Sequence, residues 1–149
     1  MYQDMRGVMV KFPYVASPEM SLAQAEIYMK ECDIRHLPMI ENDQVVGLVS
    51  ERDLLRYRED TRYRNLTLAD VINRPPFVVS DTEPLESVLG IMAKNKYGSA
   101  LVTNPNSQLI GIFTTTDALI LLQNLISGEP KFFKEPGKVV QLKDVVAWN

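Results

Sequence analysis

The stretch Gly47-Leu48-Val49-Ser50-Glu51-Arg52-Asp53-Leu54-Leu55 returns 64 residues later as Gly111-Ile112-Phe113-Thr114-Thr115-Thr116-Asp117-Ala118-Leu119. Both copies read Gly-x-x-[Ser/Thr]-x-x-Asp. Aliphatic and aromatic residues lead into a hydroxyl residue, and an acidic residue follows three positions on. That pattern marks a strand that ends, a turn, and a helix that begins. Its recurrence makes the chain a repeat, and the rest follows by looking for the remainder of the repeated unit.

Working towards the N-terminus, Val8-Met9-Val10-Lys11-Phe12-Pro13-Tyr14-Val15-Ala16-Ser17 matches Val71-Ile72-Asn73-Arg74-Pro75-Pro76-Phe77-Val78-Val79-Ser80 at an offset of 63. Leu22 matches Leu85 and Met29 matches Met92 at the same offset; Gln44 and Gln108 stand 64 apart, after one residue added in the second copy's turn. A unit of roughly 60 residues buries only about 60% of its unfolded surface, so one copy alone is marginal and two packed together can share a core.

Each copy reads β-α-β-β-α. A short strand (Tyr14 to Ser17, Phe77 to Ser80) precedes a helix from about Ser21 to Cys32 in the first copy. Leu22, Ala25, Met29 and Cys32 form its apolar stripe. In the second copy Pro84 suits the first helical turn, and Leu85, Val88, Leu89, Met92 and Ala93 form the stripe. Hairpins follow: Leu37–Ile40 with Val45–Val49 across Asn42-Asp43, and Ala100–Thr103 with Leu109–Phe113 across Asn104 to Ser107. The fold class expected is α+β, a mixed sheet with helices on one face. The repeat places a first unit at 1–67, with an N-terminal arm (Met5, Val8, Met9) and the polar linker Tyr57 to Thr67. The second unit spans 68–149, with a tail whose Leu142-Lys143-Asp144-Val145-Val146 echoes Leu68-Ala69-Asp70-Val71-Ile72.

Composition narrows the function. Among 149 residues, 46% are hydrophobic and 23% charged, with a net charge of −3; a packed core is possible and nucleic-acid binding is disfavoured. The single Cys32 permits no internal disulfide, and with His36 as the only other soft ligand a zinc site is not expected. Cys32 reads as a buried structural thiol. No apolar run reaches a membrane span and no signal pattern opens the chain, so the expectation is a cytoplasmic protein. Paired carboxylates, a nucleophile with its base, and a metal constellation are not recognisable, so the chain reads as a non-enzyme that requires no cofactor.

The chemistry lies in the repeated signature. Ser50 and Thr114 can cap a helix or offer a hydroxyl to an anion; free N–H groups of a first helical turn favour phosphate. Asp53 and Asp117 can accept from a ribose diol, or simply complete a cap in the first turn. Cap and ligand site both remain open from the residues alone.

With these segments the chain resembles the cystathionine-β-synthase (CBS) domain family over about Val8 to Ser127. The resemblance rests on the Pro-aromatic-Val segments, on Ile34-Arg35-His36-Leu37-Pro38-Met39-Ile40 and on both Gly-x-x-[Ser/Thr]-x-x-Asp signatures. It implies two units packed with pseudo-two-fold symmetry, a Bateman-type module, which usually dimerises. It also implies two clefts binding AMP, ADP, ATP, S-adenosylmethionine or a related adenosyl compound as regulatory ligand. Carried over, one cleft holds Ser50, Arg52, Asp53, Arg35 and His36, with Phe77, Val78 and Tyr97 near the base. The other holds Thr114, Thr116, Asp117 and Ser99, with Tyr14, Val15 and Ile34 near the base. Arg35 and His36 can equally face solvent, and Tyr97 can be core packing rather than a stacking platform. The first cleft has two arginines and a histidine where the second has Gly98, Ser99 and Thr116, so a phosphorylated ligand is expected to prefer the first. The competing reading is a ligand-free dimerisation or protein-interaction module. An effector protein, if one exists, is not identified by the sequence.

Overall fold

The structure is a computed structural model that describes residues 4–72 and 74–128. In chain order the elements are a 3-10 turn (Met5–Gly7), β1 (Val10–Lys11), α1 (Leu22–Glu31), β2 (His36–Glu41), β3 (Gln44–Ser50), α2 (Glu51–Leu55), α3 (Leu68–Val71), β4 (Val78–Ser80), α4 (Leu85–Asn95), β5 (Ser99–Thr103), β6 (Leu109–Thr114) and α5 (Thr115–Ser127). The chain is α+β and contains the β-α-β-β-α unit twice, the first time with its leading strand reduced to a bridge.

Two compact units result: residues 14–76, called here the first unit, and residues 4–13 with 77–128, the second. The repeats divide the sequence at 67/68, whereas compactness divides the chain at 13/14 and 76/77.

In the first unit, β2 and β3 pair antiparallel, and the turn residues Asn42 and Asp43 have φ of 50° and 60°. Two left-handed residues make a hairpin turn whose twist suits the strands, and Asn and Asp tolerate that region. The leading strand expected over Tyr14 to Ser17 shortens to one parallel bridge, Ala16 to Met39. Ser21 opens α1 with a capping box, its Oγ accepting from Gln24 N at 3.1 Å and its N–H donating to Gln24 Oε1 at 3.0 Å. Leu22, Ala25, Tyr28 and Met29 then pack against Leu37, Met39, Val49, Leu54 and Leu68 to form the core. Cys32 is half-buried at the end of α1, and burial pushes its thiol up to about 11. The linker Tyr57 to Thr67 is less detached than its polarity suggests: Tyr57, Tyr63 and Leu66 pack against this core. The Tyr63 hydroxyl donates to Glu26 Oε2 at 2.5 Å, and Arg58 pairs with the same carboxylate.

In the second unit the sheet order is β1-β6-β5-β4, with β4 parallel to β5 and the other pairs antiparallel. Its hairpin loop is longer. Asn104 Oδ1 accepts from the N–H groups of Asn106 and Gln108 at 3.0 Å each, closing the turn. Both hairpins slip register at matched positions, between Met39 and Ile40 and between Val102 and Thr103. Ala100, Val102 and Phe113 meet Leu85, Val88, Met92 and Leu121 in the core, joined by Met5 and Val8 of the N-terminal arm. The arm is therefore structural, and its Met5 N–H donates to the Glu83 carbonyl at 3.1 Å. Pro84 stands just outside α4 as its N-cap, and Ala93 is exposed rather than part of the stripe. Asn73 and the echo Leu142–Val146 lie outside the described residues.

The fold also explains why each signature begins with glycine. A Cβ at Gly111 would overlap the Met9 sulfur and lie 2.8 Å from Met9 Cγ, and one at Gly47 would lie 3.2 Å from Ile72 Cγ2 and from the Met39 sulfur. Met9 and Ile72 are themselves repeat-related, so the same close approach is built twice. No helix among the described residues is long and apolar enough to cross a membrane.

Candidate functional site

The signature folds the same way in both units. In the first, β3 delivers Ser50 to the N-cap of α2, and the Ser50 Oγ accepts from Asp53 N at 3.2 Å. Asp53 folds back so that its Oδ2 accepts from Ser50 N at 2.9 Å. In the second, β6 delivers Thr114 to the N-cap of α5, and Thr114 Oγ1 accepts from Asp117 N at 3.2 Å. Asp117 Oδ2 accepts from Thr114 N at 2.8 Å and from Thr114 Oγ1 at 2.9 Å. Both are capping boxes with an aspartate in the third helical position. Asp53 and Asp117 are 7% and 6% exposed, which is rare for carboxylates and possible because each is hydrogen-bonded. Thr67 and Asp70 make a third such pair at α3, but there the aspartate is exposed. Burial of the acid therefore distinguishes the two signatures from an ordinary cap.

Around Ser50 the structure gathers the basic residues named from sequence. His36 pairs with Ser50 across the β2–β3 ladder, and the Arg35 carbonyl accepts from Glu51 N at 2.8 Å. The Arg35 side chain is exposed and approaches Glu51 to 4.0 Å. Arg52 is exposed on α2. Ile34 is half-buried against the first core, as is Tyr14, which meets Tyr28 edge-on at 5.9 Å; Val15 is half-buried too. A concavity of about 270 Å³ lies in the same unit, lined by Met29, Ile34, Arg35, Glu51, Leu54 and Arg58 among others. Ser50 and Asp53 do not line it, and Arg35 and Arg58 are engaged there by Glu51 and Glu26.

Around Thr114, Ser99 occupies the ladder position that His36 holds beside Ser50. Its hydroxyl is buried and has no hydrogen-bond partner among the described residues. Thr116 is exposed on α5. Phe77 and Tyr97 form a tilted ring pair with centroids 5.2 Å apart; Phe77 is half-buried against the second unit's core, and Tyr97 is 42% exposed. Val78 is exposed on β4, next to Phe77 in the chain.

One residue escapes the sequence reading. The Arg74 Nη2 donates to Asp53 Oδ1 at 2.8 Å, so both oxygens of that carboxylate are engaged. Its repeat counterpart Lys11 makes no ion pair with Asp117 among the described residues, and Asp117 Oδ1 has no hydrogen-bond partner there. The signal was present as two cations 63 residues apart.

A family model described as the CBS domain matches residues 5–60 and again residues 68–124. An uncharacterised protein of Methanocaldococcus jannaschii is 27% identical over 120 residues, 80% of this chain and 38% of its own length. The inosine-5′-monophosphate dehydrogenase of Thermoplasma acidophilum is 25% identical over 112 residues, 75% of this chain and 22% of the enzyme. The chain thus spans well under half of these curated relatives. Among solved structures, the CBS domain pair of protein MJ0100, in complex with 5′-methylthioadenosine and S-adenosyl-L-methionine, superimposes with a TM-score of 0.74 at 20% identity, covering 82% of this chain and 97% of that one. CBSX2 in complex with AMP gives 0.70 at 23% identity, covering 83% and 98%.

Proposed function

The chain belongs to the CBS domain family, and on that premise we propose that it is a non-catalytic regulatory module that senses an adenosine nucleotide or related adenosyl compound. The observation that carries the reading is the pair of matched Ser/Thr–Asp junctions, each with a buried carboxylate at a strand-to-helix turn. A helix-anchored carboxylate beside a hydroxyl is suited to a ribose diol, and adenosine is common to the ligands held by the MJ0100 pair and CBSX2. Sensing then means that ligand binds two arrangements of the module with different affinity and so shifts their populations. The module acts as a homodimer in this account and passes the change to an effector protein.

The two junctions differ in charge. Arg35, His36 and Arg52 surround Ser50, whereas Gly98, Ser99 and Thr116 surround Thr114. A phosphorylated ligand such as AMP therefore favours the first unit's junction. Titration calorimetry with AMP on Asp53→Asn and Asp117→Asn tests this. Loss of binding should be at least about tenfold greater for the Asp53 variant, the scale of one charge-assisted hydrogen bond, and equal losses would defeat the ranking.

A second reading, a ligand-free dimerisation or protein-interaction module, draws on two observations. The capping boxes hold one oxygen of Asp53 and one of Asp117 without a ligand, and α5 exposes Leu119, Leu122, Leu125 and Ile126. Adenine absorbance carried by the purified protein would speak against it.

A further inference from the structure

We propose that Arg74 is an internal competitor for Asp53 that makes the first unit's junction selective for anionic ligands. This rests on the reading of Asp53 as a ribose acceptor. The Asp53 side chain is 10% exposed and its two oxygens are taken by Ser50 N at 2.9 Å and by the Arg74 guanidinium at 2.8 Å. A diol approaching Asp53 Oδ1 needs the place where the guanidinium now donates. Arg74 itself is 71% exposed, so it can swing away without disturbing the core.

What the displaced guanidinium meets decides the outcome. An anionic ligand brings phosphate oxygens with which Arg74 can re-pair, next to the charges of Arg35 and Arg52. An uncharged adenosyl ligand offers no such exchange, and its diol must replace a charge-assisted bond with a neutral donor. Asp117 carries no such competitor among the described residues: Lys11, the repeat counterpart of Arg74, lies in β1 and is not paired with it. The first junction thus discriminates by ligand charge, whereas the second, with no cation on its aspartate among the described residues, does not discriminate in this way.

The test uses the full chain carrying Asp117→Asn, so that only the first junction reports, titrated calorimetrically with adenosine and with AMP. Arg74→Gln is then added. Adenosine should bind about fivefold more tightly, the change equivalent to ~1 kcal/mol at the upper end for an ion pair with one exposed partner. AMP should gain nothing or weaken. With Arg74 present, adenosine binding should also tighten as salt rises and screens the pair; once Arg74→Gln has removed the charge, that salt dependence should vanish. Adenosine affinity unchanged or lowered by Arg74→Gln overturns the inference while leaving the sensing function standing. If neither compound binds any of these proteins or the unsubstituted chain, the inference falls, and the sensing function then stands or falls on ADP, ATP and S-adenosylmethionine.

Discussion

Removing the Asp117 carboxylate should destabilise the protein in the absence of any ligand. Asp117→Ala deletes the acceptor for Thr114 N at 2.8 Å and for Thr114 Oγ1 at 2.9 Å, at a site 6% exposed. The Thr114 hydroxyl still caps the backbone N–H at position 117, so only the reciprocal half of the capping box is lost, at up to about 1 kcal/mol. Loss of a negative charge from the first turn of a 13-residue helix adds about 0.3–1 kcal/mol. The Thr114 N–H is left without its partner in a half-buried position, at the low end of about 1–3 kcal/mol. Because these overlap, the sum is about 2 kcal/mol. Asp117→Asn keeps an oxygen for the Thr114 N–H and forfeits mainly the charge, so it should cost about 0.5–1 kcal/mol. Urea unfolding separates the two: with a slope of about 2 kcal/mol/M, the midpoint should fall by about 1 M for Ala and about 0.3–0.5 M for Asn. An Ala variant that unfolds with the unsubstituted chain would refute the capping geometry. An Asn variant as damaged as Ala would show that charge, not the acceptor, carries the cap. The distinction matters for binding work, since an alanine at this position confounds lost ligand contacts with lost fold.

Other expectations follow from the packing and the charges. Gly111→Ala should cost about 1–3 kcal/mol, because its methyl would run into the Met9 side chain, 2.8 Å from Cγ and closer still to the sulfur. Gly47→Ala should cost less, since its methyl meets Ile72 and Met39 at 3.2–3.3 Å; thermal melts check the order, and Met9→Ala should recover part of the Gly111→Ala loss. The Tyr63 hydroxyl, then Arg58, hold the Glu26 carboxyl below its usual value of 4.5. Its folded pKa is depressed, so the stability it contributes is present above about 4.5 and is lost as pH falls through the lower folded value; Tyr63→Phe should flatten that acid limb in melts between about pH 5 and 3, and an unchanged limb would remove Glu26 from the account. Cys32, with its thiol pushed up to about 11 by burial, should react slowly with a thiol reagent at about pH 8 in the folded protein and at the free-cysteine rate in urea; rapid labelling of folded protein would contradict its placement.

Much of this fold was legible because it is written twice. The hairpins were set by turn residues whose chemistry admits left-handed backbone, Asn42 and Asp43, and by strands of apolar residues on either side. The structure extends each strand by a residue or so, taking in His36 and Ser50 and, in the second unit, Ser99 and Thr114. Less was legible where tertiary packing overrides local sequence. Nothing in Met5 and Val8 says that the core they join is that of the second unit, whose other buried members lie more than 70 residues on. Tyr63 sits in a polar run, yet its ring packs on the first core while its hydroxyl finds Glu26. Ala93 falls on a helical apolar stripe, yet in α4 only Leu85, Val88 and Met92 of that stripe are fully buried. At the candidate sites the caps were open from sequence as one of two roles, and the burial of Asp53 and Asp117 came only with the fold. Arg74 was hidden for a different reason: the matched cations Lys11 and Arg74 recur at the repeat offset, but nothing in either says which one meets an aspartate.

The most direct test of the central claim is thermal melting of nucleotide-free protein with and without millimolar AMP, ADP, ATP and S-adenosylmethionine. A ligand present at about 100 times its dissociation constant stabilises the state it binds by roughly 2.7 kcal/mol, which raises the midpoint by several degrees for a chain of this size. The account predicts such a rise with at least one of the four compounds. An unchanged midpoint with all of them would contradict adenosyl sensing and leave the protein-interaction reading in its place.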